Sequence, residues 1–196
     1  MEVTLLTIAA LGIAALGGYT DVRSGKVYNA LTYPAAALGV AMQMVLTATP
    51  AASLGLSGRV FGTVVEIQPG ATGLLAGLGL GTLTALAGLI VGLGLLLVPY
   101  LLGFVGAGDV KLLAAVGAFI GPRDTAVVMV LGAAFGGILA VFLLLRRREL
   151  VGMALQLAIS PRQTLAAASL EKGDFPFATT VPLGLAGALL LGALGA

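Results

Sequence analysis

Two aspartates, Asp21 and Asp109, are the residues of this sequence best suited to chemistry. The chain of 196 residues has eight acidic and ten basic side chains, and it contains neither cysteine nor histidine. The missing residue types exclude disulfides, thiol nucleophiles, Ser-His-Asp triads and metal sites built from thiolate or imidazole. Chemistry must therefore come from carboxylates, hydroxyls, lysine or the backbone, and we predict no metal and no cofactor.

Each of the two acids lies where an apolar run ends or begins, and each is followed two positions later by a cation, Arg23 or Lys111. When two carboxylates lie a few ångströms apart, like charges disfavour double ionisation, and the pair tends to share one proton. One member then acts as a base on water, while the other donates a proton to the carbonyl oxygen under attack. Such a pair predicts aspartyl proteolysis.

The composition decides which kind of protein must position these acids. Apolar residues make up 59% of the chain and charged residues only 9%, and the mean hydropathy is +1.13. These proportions exclude a soluble globule, a disordered tail and a coiled coil, and they indicate an integral membrane protein. The net charge of +2 is small and scattered, so we expect the lipid bilayer as a partner and no nucleic acid.

Apolar runs predict an all-α membrane protein with about six transmembrane helices in a single domain, 1–196. The runs cover residues 3–19, 30–46, 74–98, 110–120, 125–145 and 180–194. The first lacks a basic start, so we interpret it as a retained helix and not as a signal peptide. The fourth run is short, bracketed by Gly108 and by Gly121–Pro122, and is either a re-entrant half-helix or a short crossing.

The distribution of basic residues between the two sides of the membrane favours the short crossing. With six crossings and the N-terminus outside, only Arg59 and Arg123 of the ten basic residues lie outside the cell. A re-entrant segment would instead place the basic cluster at 146–148 outside, against the positive-inside tendency. We therefore expect a multi-pass protein of the inner (cytoplasmic) membrane, with Asp21 and Asp109 on the cytoplasmic side.

Two connections are long enough for structure of their own. Residues 47–72 form an external loop, whose β-prone part at 59–67 predicts a short hairpin. Residues 149–173 are cytoplasmic, and the apolar stretch at 150–159 is too short to cross, so we expect it to lie in the membrane interface.

Glycines precede the second acid. In the run GAGDVK at 106–111, Gly106 and Gly108 allow backbone and substrate to approach closely. The glycines alone are weak evidence, because the chain has 30 of them and small residues also serve helix packing in membranes. The acid placed directly after them, at a helix start, is what strengthens the signal.

Two segments resemble the type IV prepilin peptidases, which are GxGD membrane aspartyl proteases. The segment DVRSGKVYN at 21–29 is similar to their first motif, and GAGDVK at 106–111 is similar to their GxGD motif with its following lysine. The segment FPFA at 175–178 is similar to a Pro-aromatic stretch before their last helix. Tyr28 departs from the pattern, since it stands where the family usually has proline.

The resemblance implies that Asp21 and Asp109 are the catalytic aspartates. It also implies supporting roles for the other matching motif positions, which are Arg23, Lys26, Asn29, Gly106, Gly108 and Lys111. The implied substrates are prepilin or pilin-like precursors, whose short basic leader is cut from a hydrophobic helix at the cytoplasmic face. The sequence has no region with paired CxxC motifs, so the resemblance is to the compact, peptidase-only branch, and we predict no methyltransferase activity.

Simpler interpretations exist for the same residues. Asp21 could simply pair with Arg23 or Lys26 at a helix end, and Asp109 could be no more than the N-cap of its helix. The cations Arg23, Lys26 and Lys111 could be no more than topology anchors. A small proton- or cation-coupled transporter using both aspartates is the main alternative function, and a non-enzymatic subunit of a pilus or secretion machine is another.

Overall fold

The computed structural model describes residues 2–54, 56–60, 63–67, 69–103, 105–147 and 179–190. Five helices and two strands lie in these ranges: α1 (Glu2–Ser24), α2 (Asn29–Leu54), β1 (Leu56–Val60), β2 (Thr63–Ile67), α3 (Ala71–Leu101), α4 (Ala107–Arg147) and α5 (Thr180–Leu190). The stretches expected at 150–159 and 175–178, and the last residues of the sixth run, lie outside the described residues.

Four helices in the described ranges are long and apolar enough to cross a membrane. They are Leu5–Ser24, Asn29–Thr49, Ala71–Leu101 and Ala107–Ile138, and α5 is a shorter apolar helix. Large apolar side chains such as Ile8, Ile90 and Val130 are exposed on the outside of the bundle, where lipid would cover them. The chain is therefore a helical membrane protein, as its composition predicts.

The connection after α2 differs from the expected loop. The predicted hairpin is present, with β1 and β2 antiparallel and Leu56 paired with Ile67. The helices on either side are longer than expected, since α2 continues to Leu54 and α3 begins at Ala71. Alanine has the highest helix propensity, and Ala48, Ala51 and Ala52 extend α2 into the segment that turn-forming residues suggested was a loop.

Small residues allow α3 to lie very close to its neighbours. Its buried residues recur every three or four positions: Gly73, Gly77, Gly81, Ala85, Gly88, Gly92 and Leu96. A Cβ atom added at Gly92 would lie 2.8 Å from the Ala114 Cα atom of α4. Backbones can approach this closely only where side chains are absent, which is the common basis of helix packing in membranes.

Gly121 interrupts α4 between the two apolar runs that the sequence separates. Its φ of 80° and ψ of 175° are not helical, and the positive φ suits glycine. A Cβ atom added at Gly117 would lie 3.0 Å from the Thr125 hydroxyl oxygen, although eight residues of straight helix span about 12 Å. The chain therefore folds back at Gly121, which divides α4 into a first segment (107–120) and a second segment (122–147).

The first segment of α4 lies at the centre of the bundle. Residues 112–119 are all buried, including the fully buried side chains of Leu112, Leu113 and Phe119. Helix α5 packs on the second segment, where a Cβ atom added at Gly184 would lie 2.5 Å from the Val128 carbonyl oxygen. The bundle thus surrounds the helix segment whose first turn carries Asp109.

Candidate active site

A cavity lies at the end of the bundle where α1 ends and both α2 and α4 begin. Its volume is about 400 Å³. Two stretches of the chain line it: Asp21, Gly25, Lys26, Val27, Tyr28 and Asn29 on one side, and Gly106, Ala107, Gly108 and Asp109 on the other. The cavity therefore brings together the two segments whose motifs the sequence analysis singled out.

Asp109 lies in the first turn of α4, with its carboxylate held by the backbone. The N–H of Gly106 donates to Asp109 Oδ2 at 3.1 Å, and the Gly106 carbonyl accepts from the N–H of Asp109 at 3.2 Å. Gly106 is thus the N-cap, and Asp109 at the third helical position reaches back to it as in half of a capping box. The simpler interpretation of Asp109 as the N-cap itself is wrong by three positions.

The second oxygen of Asp109 is left for other interactions. The residue is only 8% exposed, and Oδ1 is buried without a hydrogen-bond partner. Buried carboxylate oxygens are normally paired, so an orphan oxygen beside a cavity is the arrangement expected of a group that meets water or a ligand. Capping fixes the orientation of Asp109 and leaves Oδ1 unused.

Asp21 lies in the last turn of α1 and is half-buried. The helix ends at a left-handed glycine, since Gly25 has a φ of 62° and its N–H donates to the Asp21 carbonyl at 2.7 Å. This is the glycine termination common at helix C-termini, and it turns the chain into the cavity wall. The charges of Asp21 and Asp109 lie close enough to interact.

Gly108 and Lys111 join the two walls of the cavity. A Cβ atom added at Gly108 would lie 2.9 Å from Val27 Cβ, so a side chain there would separate the walls. Lys111 Nζ donates to Asn29 Oδ1 at 2.9 Å and lies 5.3 Å from the centroid of the Tyr33 ring. Asn29 and Lys111, which the sequence analysis named only as matching motif positions, therefore contact each other directly.

The other two basic residues of the motifs, Lys26 and Arg23, lie in different places. Lys26 is exposed and lines the cavity. Arg23 is exposed too, but its Nη1 donates to the Tyr19 hydroxyl at 2.9 Å on the outer face of α1. The structure thus brings seven of the eight motif residues to the cavity or its supports and leaves Arg23 outside.

Sequence reasoning missed three residues that shape the site: Val27, Tyr33 and Leu112. Val27 contacts Gly108, Tyr33 contacts Lys111, and Leu112 contacts Gly17 one helical turn from Asp21. Helical spacing was the available signal: Tyr33 lies one turn after Asn29 on the same face of α2, and Leu112 lies three residues after Asp109 on the same side of α4.

Comparison with known families agrees with the geometry. The model of the type IV leader peptidase family matches residues 6–141, a range that includes both walls of the cavity. Comparison with curated proteins and with solved structures gave no match. The match covers more than half of the chain, and the chain therefore belongs to the type IV leader peptidase family.

Proposed function

We propose that this peptidase-family protein is a membrane-embedded aspartyl endopeptidase with Asp21 and Asp109 as its catalytic pair. Its substrates are prepilin or pilin-like precursors, from which it removes the short basic leader at the cytoplasmic face. One observation carries the proposal: the two acids line one cavity, and the buried Asp109 keeps a carboxylate oxygen without a partner. The family match adds the expectation of proteolysis on leader-bearing proteins.

The reaction needs one protonated and one ionised carboxylate. The ionised member takes a proton from water as the water oxygen attacks the carbonyl carbon, and the other gives its proton to the carbonyl oxygen. The tetrahedral intermediate then collapses. The carboxylate that gave its proton takes one back from a hydroxyl group of the intermediate, the other carboxyl gives its proton to the amide nitrogen, and the C–N bond breaks to release the amine and the new carboxyl group. Gly106 contributes by fixing Oδ2 of Asp109, so that the pair loses little freedom on reaction.

The size of the cavity limits how the substrate binds. A volume of about 400 Å³ is at the small end of the range for ligand sites, about 300–1,000 Å³. A volume of this size suits an extended stretch around the scissile bond better than an intact helix, which with its side chains is about 10–12 Å across. The apolar helix of the precursor therefore lies against the outside of the bundle, while its first residues unwind into the cavity; a glycine at the cut site lowers the cost of unwinding.

The tyrosines support an interfacial position for the cavity. The chain has four tyrosines and no tryptophan. Tyr28 lines the cavity, Tyr19 and Tyr33 lie near the ends of α1 and α2 that border it, and Tyr100 lies at the end of α3, six positions before Gly106. Tyrosine is enriched at the membrane–water interface. Together with the positive charges nearby, this supports a cavity at the cytoplasmic interface. We propose that the chain is a single six-crossing domain of the inner membrane, with the N-terminus outside and the cavity open to the cytoplasm.

Cleavage of a prepilin-type precursor by the purified protein tests the proposal. Asp21→Asn and Asp109→Asn should each lower the rate by about 10³-fold or more, since each removes one acid–base function. Asp124→Asn, an acid near the opposite end of the first segment of α4, is the matched control and should cleave normally. Full turnover by both site variants would reject the assignment.

The family match gives no support to the alternative of a transporter. The same experiment separates the two functions, because a transporter would leave the precursor at its full length.

A further inference from the structure

Lys111 ties α4 to the start of α2 without lining the cavity. Residues two apart on a helix do not face each other, so the ammonium group projects away from Asp109. The structure gives it two neutral partners, the Asn29 amide oxygen at 2.9 Å and the face of the Tyr33 ring at 5.3 Å. Its contacts are therefore those of a group that holds two helices together, and not of an acid–base group.

The Asp21 wall of the cavity, residues 21–29, makes few packing contacts of its own apart from its link to Lys111. Residues 22–26 and 28–30 are all exposed. Gly25 has a left-handed φ, and a Cβ atom added there would meet nothing within 4 Å. Short exposed connections with few buried contacts are the parts of a protein that open most easily. Val27 packs against Gly108, but one apolar contact does not fix the direction of the wall, whereas a hydrogen bond does.

We propose that Lys111 is a positioning residue, which acts through Asn29 and Tyr33 to hold the Asp21 wall at its working distance from Asp109. The inference rests on the proposed function of the aspartates. A charge-assisted hydrogen bond and a cation–π contact share one ammonium group, so both are lost together when the charge is removed. A wall displaced by about 1 Å lowers the rate by about 10²-fold.

Kinetics of precursor cleavage give the first test. Lys111→Met, which keeps most of the length of the side chain and removes its charge, should lower kcat by about 10- to 100-fold and leave KM nearly unchanged. Lys111→Arg keeps the charge and should recover most of the activity. Asn29→Ala should resemble Lys111→Met, and the double variant should be no worse than either single one, because both changes break the same contact. Arg123→Met is the matched control and should cleave normally.

A distance measurement gives the second test and does not depend on activity. The chain has no cysteine, so spin labels at Lys26→Cys and Ala107→Cys report only the separation of the two cavity walls. We expect a narrow distance distribution in the parent and with Lys111→Arg, and a broader or longer one with Lys111→Met. Thermal unfolding of each variant shows that the bundle is intact.

The outcomes separate this inference from the proposed function. Low kcat together with a broadened distribution supports it. Low kcat with an unchanged distribution overturns it, because Lys111 would then act directly on the reaction. An unchanged kcat overturns it whatever the distances show. If both aspartate variants still cleave, the proposed function fails, and the distances still report whether Lys111 holds the wall.

Discussion

Gly17 of α1 lies directly against the Leu112 side chain of α4. A Cβ atom added at Gly17 would lie 2.6 Å from Leu112 Cδ1, and Leu112 is fully buried. Gly17 precedes Asp21 by one helical turn, and Leu112 follows Asp109 by nearly one turn. This contact therefore limits how closely α1 and α4 approach beside the cavity, so the distance between the carboxylates depends partly on a missing side chain.

A larger residue at Gly17 should separate the aspartates. We expect Gly17→Leu to force α1 away from α4, because the buried Leu112 has little room to move, and to lower precursor cleavage by about 10²-fold. Overpacking of this kind also costs about 1–3 kcal/mol of stability, which thermal unfolding in detergent would measure. Gly12→Leu is the matched control in the same helix, since nothing lies within 4 Å of a Cβ atom there. Equal activity of the two variants would contradict this role for Gly17.

A methyl group at Gly108 should push apart the two walls of the cavity, because Gly108 lies against Val27 of the opposite wall. The new Cβ atom of Gly108→Ala would lie 2.9 Å from Val27 Cβ, closer than carbon atoms normally approach. We expect reduced cleavage, measured as initial rate on a precursor, and partial recovery in the double variant with Val27→Gly, which removes the opposing atom. Gly94→Ala is the control, because its Cβ atom would meet nothing within 4 Å. Failure of Val27→Gly to restore any activity would show that the methyl group acts by another route.

Besides the apolar helices and the hairpin, the position of the two acids and the break at Gly121 could be predicted from the sequence. Both depend on local features that differ from the apolar sequence around them. A carboxylate at the edge of an apolar run is costly, and a Gly-Pro pair within such a run interrupts the helix, so each stands out against 59% apolar residues.

The packing around the site could not be predicted, because apolar residues point both inward and toward lipid. In α3, Ile90 is 64% exposed and Leu96 is fully buried, yet the two are alike in hydropathy. Lys111 and Asn29 lie 82 positions apart, and their meeting depends on the relative rotation of two such helices. The same uncertainty left Tyr33 and Leu112 out of the predicted site.

The turn at Gly121 depends on a side chain from α2. In an unbroken helix the Phe119 carbonyl would accept from the N–H four residues later, and here the Gln43 amide donates to it at 2.7 Å. We expect Gln43→Met, which keeps the size of the side chain, to lower stability by about 1–3 kcal/mol because a buried carbonyl loses its donor. Thermal unfolding measures the loss.

Met42→Leu in the same turn of α2 is the control for the Gln43 prediction and should change stability little. Cleavage per folded molecule should stay near that of the parent in both variants, since the Gly121 turn lies at the opposite end of the first segment of α4 from Asp109. Unchanged stability of Gln43→Met would mean that this hydrogen bond does not support the turn.

The depth of the cavity in the bilayer can be measured with a single tryptophan, because the chain has none. Tyr100 is at the end of α3, six positions before the cavity residue Gly106. Ile90 is 64% exposed and lies about 15 Å from Tyr100 along the same helix. In vesicles, Tyr100→Trp should be quenched by acrylamide from the water and weakly by lipids brominated deep in their chains. Ile90→Trp should show the reverse, since its ring would lie within the hydrocarbon.

This pair of variants decides how water reaches the aspartates. A tryptophan at position 100 that is quenched from the water places the cavity in the interface, where water enters without a channel and only the leader end of the precursor must leave its helix. Equal deep quenching of both tryptophans would place the carboxylates within the hydrocarbon, and the interfacial cavity proposed here would then be wrong.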